Sequence, residues 1–403
     1  MINIIRDLTP LNRVFCSTDY DKSIEYLSNH LPFKIIKLTK QDEVNGWVIP
    51  PKWDVKKAII KQNGEIIFDG TKHVLNVIGL STNFNSKVTL DELKKHLYYH
   101  PKYDDAIPYH YSQSYNSWQR DWGFCVTKNF YDSLESGEYE VIIETEESEG
   151  NLKVCEYTHR GELDEIFVFV AHLDHPGMAN DDLAGCVVGI ELFKRLPKTK
   201  FTYKLLLVQE IIGSELYLNK CGTDNIIEGI FLEMLGSKTP LVLQKSFSRD
   251  SCLEHALDAV TDLNKGEFGQ VVGNDECVWE AHGIPMCSLS RFPYPGYHTD
   301  KDNASIISEE CLEESVVILL KMVDALEKTK MVFKNFIGYP CLSNPKYDLY
   351  LGADDRLRIL MEFMPMLPRP MLVSQLANKF DLVEQEVFEY LIKWKDAGLL
   401  KIK

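Results

Sequence analysis

The segment Ala171-His172-Leu173-Asp174-His175-Pro176-Gly177-Met178-Ala179-Asn180-Asp181-Asp182-Leu183-Ala184-Gly185 constrains this chain more than any other. It follows Ile166–Val170, an apolar run of β-branched and aromatic residues too short for a helix, which predicts a buried strand. An imidazole, His172, therefore emerges at a strand end, and the Asp174 carboxylate comes two residues later. Asp181 then leads into a helical pattern over Leu183–Leu196. A histidine and an acid at the carboxyl edge of an open α/β sheet are a common beginning for a divalent-metal site. The competing reading is a surface loop, and it weakens because three later strand ends repeat the pattern.

Leu205-Leu206-Leu207-Val208 ends at Gln209-Glu210, with Gly213-Ser214 opening a helix. Ile230-Phe231-Leu232 ends at Glu233. The last site is Tyr297-His298-Thr299-Asp300, in a loop rich in Pro and Gly. His172, Asp181, Glu210, Glu233 and His298 thus form a candidate ligand set for one or two zinc ions, with a carboxylate bridging the pair. Glu210 and Glu233 as plain helix caps, and His298 as a hydrogen-bonded loop histidine, are the alternatives. Asp174 fits an outer role, accepting a hydrogen bond from the far nitrogen of His172. Asp182 and His175 read as surface groups and stand outside the set.

The 403 residues carry a net charge of −16, and a chain this acidic lacks the basic face that phosphate binding needs. Nucleic acid is therefore not an expected partner, and a small peptide or amide substrate is. Ten scattered cysteines without a Cys-x-x-Cys pair argue for reduced thiols rather than a disulfide framework. No secretory h-region or membrane-length apolar run is seen, so the expectation is a cytoplasmic protein.

The alternation of strands and helices from Ile166 onward predicts a mostly parallel sheet flanked by helices. Its expected strands are Ile166–Val170, Tyr203–Val208, Gly229–Leu232 and Met286–Leu289. Its expected helices are Leu183–Leu196, Gly213–Asn219, Cys252–Leu263 and Glu309–Leu326. This domain takes residues 1–44 and 131–340. Residues 45–130 read as an inserted β-rich unit, holding Trp47, Trp53, Trp118 and Trp122 as its own core. Within it, Asn63-Gly64 predicts a type I′ hairpin, and Thr89-Leu90-Asp91-Glu92 a capping box. A second hairpin is expected between 139–146 and 151–158, turning at Glu149-Gly150. Three short helices and a terminal strand over 345–403 read as a winged helix. That tail has nine basic and nine acidic residues, and its third helix carries Glu384, Glu386 and Glu389, so partner docking on this chain or a second subunit is favoured over DNA reading.

Taken together the motifs resemble the zinc aminopeptidases with a co-catalytic di-zinc α/β fold. Their pattern appears here as His172-Leu173-Asp174, Asn180-Asp181-Asp182-Leu183-Ala184-Gly185, Gln209-Glu210, Glu233-Met234-Leu235-Gly236 and Tyr297-His298-Thr299. Trp47-Val48-Ile49-Pro50, Trp122-Gly123-Phe124-Cys125, His175-Pro176 and Gly273-Asn274-Asp275-Glu276 are similar to a bacterial aminopeptidase-like subfamily with an inserted domain and a winged helix, often associated with polysaccharide biosynthesis. The resemblance spans nearly the whole chain. It implies that His172, Asp181, Glu233 and His298 are zinc ligands, with Asp181 bridging.

The family's paired glutamates supply a general base and a ligand, and here the first is Gln209, a neutral amide that takes no proton. Glu210 is left as either the ligand or the base. The resulting expectation is a zinc hydrolase of the aminopeptidase type, in which metal-activated water attacks a small amide or peptide and Glu210 and Asp174 serve catalysis. If Glu210 is a ligand, Gln209→Glu should restore the missing base. The rival reading is an impaired enzyme, a metal-binding or metal-free scaffold whose winged helix docks a partner.

Overall fold

A computed structural model describes residues 1–403. Its centre is an eight-stranded sheet in the order 34–38, 152–159, 202–208, 166–172, 226–232, 286–290, 242–244, 264–266. The four strands Thr202–Val208, Ile166–His172, Ile226–Leu232 and Met286–Ser290 run parallel. Antiparallel pairing begins on either side, at 152–159 and at 242–244. The sheet is therefore mixed, parallel where it is buried on both faces. Phe167 to Ala171 have no exposed surface, as expected for such a strand.

Alternation along the strand divides the apolar core in two. Phe167, Phe169 and Ala171 join the helices Gly185–Arg195, Cys252–Asp258 and Glu309–Lys328 in one cluster. Val168 and Val170 face Ile212, Leu216 and Trp279 on the other side. The parallel register sets Val208 opposite His172 and Leu232 opposite Leu289, so His172, Glu210 and Glu233 leave the sheet at one edge.

A second, antiparallel sheet orders its strands 65–69, 52–62, 138–148, 84–89. The Asn63-Gly64 turn forms as expected, with φ of +53° and +85° suiting a type I′ hairpin. The expected hairpin of 139–146 with 151–158 does not form. Glu138–Ser148 pairs with 52–62 and 84–89, whereas Leu152–His159 belongs to the large sheet. The chain changes sheets at Gly150, where a Cβ would stand 1.7 Å from the Pro50 carbonyl oxygen. The glycine permits a close crossing rather than a tight turn. Trp53, Trp122, Phe124 and Tyr139 pack together beneath this sheet.

Strand Met331–Lys334 sits between Met371–Leu372 and Leu400–Ile402 in a third sheet. Helices Arg358–Phe363, Val373–Lys379 and Glu384–Asp396 cover it around Leu376, Leu391 and Trp394. This unit touches the main body: Arg369, in the loop before Met371, donates to the Arg249 carbonyl at 2.6 Å, Lys379 pairs with Asp250 at 3.0 Å, and Ser374 meets His255 at 3.0 Å.

Beneath this contact lies Glu228, fully buried, with the Leu253 N–H at 3.2 Å and the Arg369 Nε at 3.8 Å. Burial pushes its carboxyl up to about 7. A raised carboxyl contributes most at low pH and loses that contribution as pH rises through about 7. Glu228→Gln should therefore match wild type near pH 4 and exceed it by roughly 3 kcal/mol above pH 8, read from denaturant midpoints at both pH values.

Candidate metal centre

His172 ends its strand, and its Nε2 stands 3.0 Å from Asp181 Oδ1. His298 places Nε2 3.1 Å from Asp181 Oδ2. A third imidazole completes the group: His175 Nδ1 lies 3.0 Å from Asp181 Oδ1, and its Nε2 lies 3.3 Å from Glu210 Oε2. His175 is 1% exposed, so the expectation of a surface histidine is corrected. The cause is a turn pulled inward. Buried Arg13 donates to the carbonyls of Leu173, His175 and Met178, and it pairs with buried Asp182 at 3.1 Å. Asp182 in turn accepts the His175 N–H at 2.7 Å. Asp182 is thus also interior, holding the turn from within.

Asp181 is placed by its backbone as much as by its side chain. Asp302 accepts the N–H groups of Asn180 at 2.7 Å and Asp181 at 3.0 Å, and the Tyr294 hydroxyl at 2.5 Å. Asn180 Oδ1 accepts the N–H groups of Gly236 and Ser237, tying this loop to the one after Glu233. The following helix sits so close to the sheet that a Cβ on Gly185 would meet the Leu232 oxygen at 2.1 Å. That approach accounts for glycine at the end of Asn180-Asp181-Asp182-Leu183-Ala184-Gly185.

The expected hydrogen bond from His172 to Asp174 is not formed. Asp174 Oδ1 instead accepts the Glu210 N–H at 2.8 Å, orienting the next strand end. Glu210 takes hydrogen bonds from His175 and from the Tyr115 hydroxyl. Burial would raise its carboxyl, but His175, His172 and Tyr115 outweigh that and hold it at about 2. Glu233 is set to one side, accepting a hydrogen bond from Asn274. Burial and neighbouring Glu276 push its carboxyl well up. Gln209 turns away altogether, its Nε2 reaching the carbonyls of Phe15 at 3.4 Å and Lys153 at 3.3 Å.

One wall is aromatic, and it comes from residues 107–115. This stretch locks onto the His298 loop: the Tyr109 N–H donates to the His298 carbonyl at 2.9 Å, and the Asp300 N–H to Ile107 at 3.0 Å. The Tyr109 ring lies 5.2 Å from His175 and 5.4 Å from His298. Tyr111 stands 5.5 Å from His298, and Tyr297 stacks on it at 3.9 Å.

The donor set fits a zinc ion. Bonds of about 2.0 Å in a tetrahedron put ligand atoms roughly 3.3 Å apart. The His175–Asp181 and His298–Asp181 contacts, at 3.0 and 3.1 Å, come close to that length without the alignment of hydrogen bonds. His172 Nδ1, His175 Nδ1, His298 Nε2 and Glu233 Oε1 are all buried with no hydrogen-bond partner. Of these, His175 Nδ1 and His298 Nε2 flank the Asp181 carboxylate, and unspent donor atoms beside a carboxylate are what a cation would satisfy.

The zinc aminopeptidase of Bacillus subtilis superposes with a TM-score of 0.61 at 13% identity, over 81% of this chain and 94% of that one. A Clostridium acetobutylicum "putative peptidase" gives a TM-score of 0.76 at 25% identity, over 100% and 96% of the two chains. The architecture is that of the aminopeptidases. A curated Clostridium acetobutylicum protein, 29% identical over 372 residues (89% of this chain and 83% of the relative), is named "Putative polysaccharide biosynthesis protein with aminopeptidase-like domain". The chain belongs to the family described as "Domain of unknown function (DUF4910)", whose model matches residues 2–329.

Among the sequence candidates, His172, Asp181 and His298 come together directly, and Glu210 joins them through His175. Glu233 is a neighbour without a direct bond to Asp181. Sequence reasoning missed His175, Tyr109, Tyr115, Asn274 and Asp302. His175-Pro176 had drawn notice as a motif, but nothing in it revealed Arg13, which lies 162 residues away in the chain. The tyrosines belong to a stretch without periodicity, where no local pattern says which way a ring points.

Proposed function

We propose that this protein is a zinc-dependent hydrolase of the aminopeptidase type, acting on a short peptide with a free N-terminus or on a related amide such as an acylamino sugar. The observation that carries this reading is the convergence of imidazoles on buried Asp181, with unspent ring nitrogens, at the carboxyl edge of an aminopeptidase-like sheet. His172, Asp181, Glu210, Glu233 and His298 would hold one or two ions. When bound, zinc supplies the charge that polarises an amide carbonyl and eases the deprotonation of water.

The chain's own residues do the rest. Glu210 is anchored through its N–H by Asp174 and through its carboxylate by Tyr115, which suits a ligand better than a freely moving base. Tyr109, Tyr111 and Tyr297 exclude water on one side and present faces on which an ammonium or a sugar ring can rest. Residues 45–130, with strand Glu138–Ser148 completing their sheet, act in this reading as an inserted unit that roofs the site. The relative's name supports a substrate met in polysaccharide metabolism.

Metal analysis of the purified protein, together with hydrolysis of a panel of amino-acid anilides and acylamino sugars, tests the proposal. Bound zinc and chelator-sensitive turnover are expected. A zinc-loaded protein inert on the whole panel would favour the scaffold reading, which the turned-away Gln209 supports. A protein that takes up no zinc and turns over nothing would defeat the hydrolase reading and favour a metal-free scaffold.

Residues 345–403 are taken as a winged helix serving as a docking unit. Glu384, Glu386 and Glu389 are exposed on its last helix, and they would repel phosphate. The full chain should show no appreciable binding to a labelled DNA duplex at physiological salt by fluorescence anisotropy. Tight, salt-sensitive binding would overturn the assignment.

A further inference from the structure

We propose that His175 is itself a metal ligand, forming with Asp181 and His298 a two-histidine, one-carboxylate site next to Glu210. The inference rests on the zinc reading above and names a ligand outside the set implied by resemblance. Candidate donor atoms of His175, Asp181 and His298 all lie within 4.8 Å of one another. His175 Nδ1 and His298 Nε2 approach opposite oxygens of Asp181, at 3.0 and 3.1 Å. Both nitrogens are buried, and neither makes an aligned hydrogen bond. A plain structural histidine would spend its ring nitrogens on partners.

The rest of the molecule holds this ring in place. Arg13 and Asp182, an ion pair with no exposed surface, grip the backbone of His175 on both sides of the residue, at its N–H and its carbonyl. Burying a guanidinium is costly unless its hydrogen bonds are filled, and here they go to the carbonyls of one short turn. Tyr109 closes the face of the ring. His175 also links Glu210 to the group, since the Glu210 carboxylate meets His175 rather than Asp181.

Zinc binding to His175→Ala and Glu233→Gln, measured by elemental analysis and by competition with a chromophoric chelator, tests the assignment. His175→Ala should lose at least about 100-fold in affinity for the tighter ion, beyond what loss of an outer hydrogen bond costs. Glu233→Gln should keep that ion. X-ray absorption at the zinc edge of the wild type, loaded with one equivalent, removes any dependence on the variant's folding. Two imidazoles per zinc are expected, against one if His175 is not a ligand. Zinc bound with wild-type affinity by folded His175→Ala, or a single imidazole per zinc, would overturn this assignment alone. A wild type that binds no zinc would overturn it together with the reading beneath it.

Discussion

Asp181→Asn is expected to lower zinc affinity by at least about 10³-fold, well beyond the 10–100-fold that outer-sphere changes cost. The amide keeps the shape of the side chain and removes its charge. Oδ1 faces both His172 and His175, and Oδ2 faces His298, so no other residue touches all three imidazoles. Burial opposes the charge on Asp181, but His175, His172 and His298 outweigh it and hold the carboxyl well below the usual range. It is ionised at any pH where the protein works. Asp302→Asn makes the matching control, because Asp302 acts by holding the Ala179, Asn180 and Asp181 N–H groups and Tyr294. Its loss should fall within about 10–100-fold. Competition titrations would read both, and Asp181→Asn binding within tenfold of wild type would remove Asp181 from the centre. The pH dependence has a defined sign. Burial would lower His172, but Asp181 outweighs it and carries the imidazole up to about 10 when no ion is bound. Zinc must displace that proton, so affinity should rise with pH.

The sheet was legible because a strand buried on both faces has no room for polar residues. Ile166–Val170 and Leu205–Val208 have none, and both form central strands. The edge strands 34–38 and 264–266, and 242–244 beside the latter, are short and mixed in composition, and no periodicity marks them. The second hairpin misled for a related reason. Glu149-Gly150 reads as a turn locally, and only the packing of Pro50 against Gly150 shows that the chain crosses between sheets there. Ligand candidates at strand ends were legible because the parallel register brings strand ends to one edge. His175 was not, since its burial depends on Arg13 and Asp182, whose meeting is a tertiary event.

Gln209→Glu is expected to weaken the fold by roughly 3 kcal/mol or more at neutral pH and to bring no gain in turnover. From sequence alone this change promises a restored base, worth about 10²–10⁴-fold. The geometry argues otherwise. Neighbouring residues at a strand end point to opposite faces, so Glu210 faces the imidazoles and position 209 faces the strand Leu152–His159. The Gln209 amide donates to two carbonyl oxygens and is fully buried. A carboxylate there would have two acceptors before it and no donor, and it would ionise only at the expense of the fold. Its pKa would rise, so the deficit should shrink toward acid pH and grow as pH increases. Denaturant midpoints of Gln209→Glu at pH 5 and pH 8 would show this directly. Glu210→Gln supplies the contrast in metal and turnover: loss of an ion if Glu210 is a ligand, or retained zinc with abolished turnover if it is the base. A stable Gln209→Glu protein with turnover raised by two orders of magnitude would mean that the strand end can rotate to bring position 209 to the metal, and Glu210 would then be the residue free to act as ligand alone.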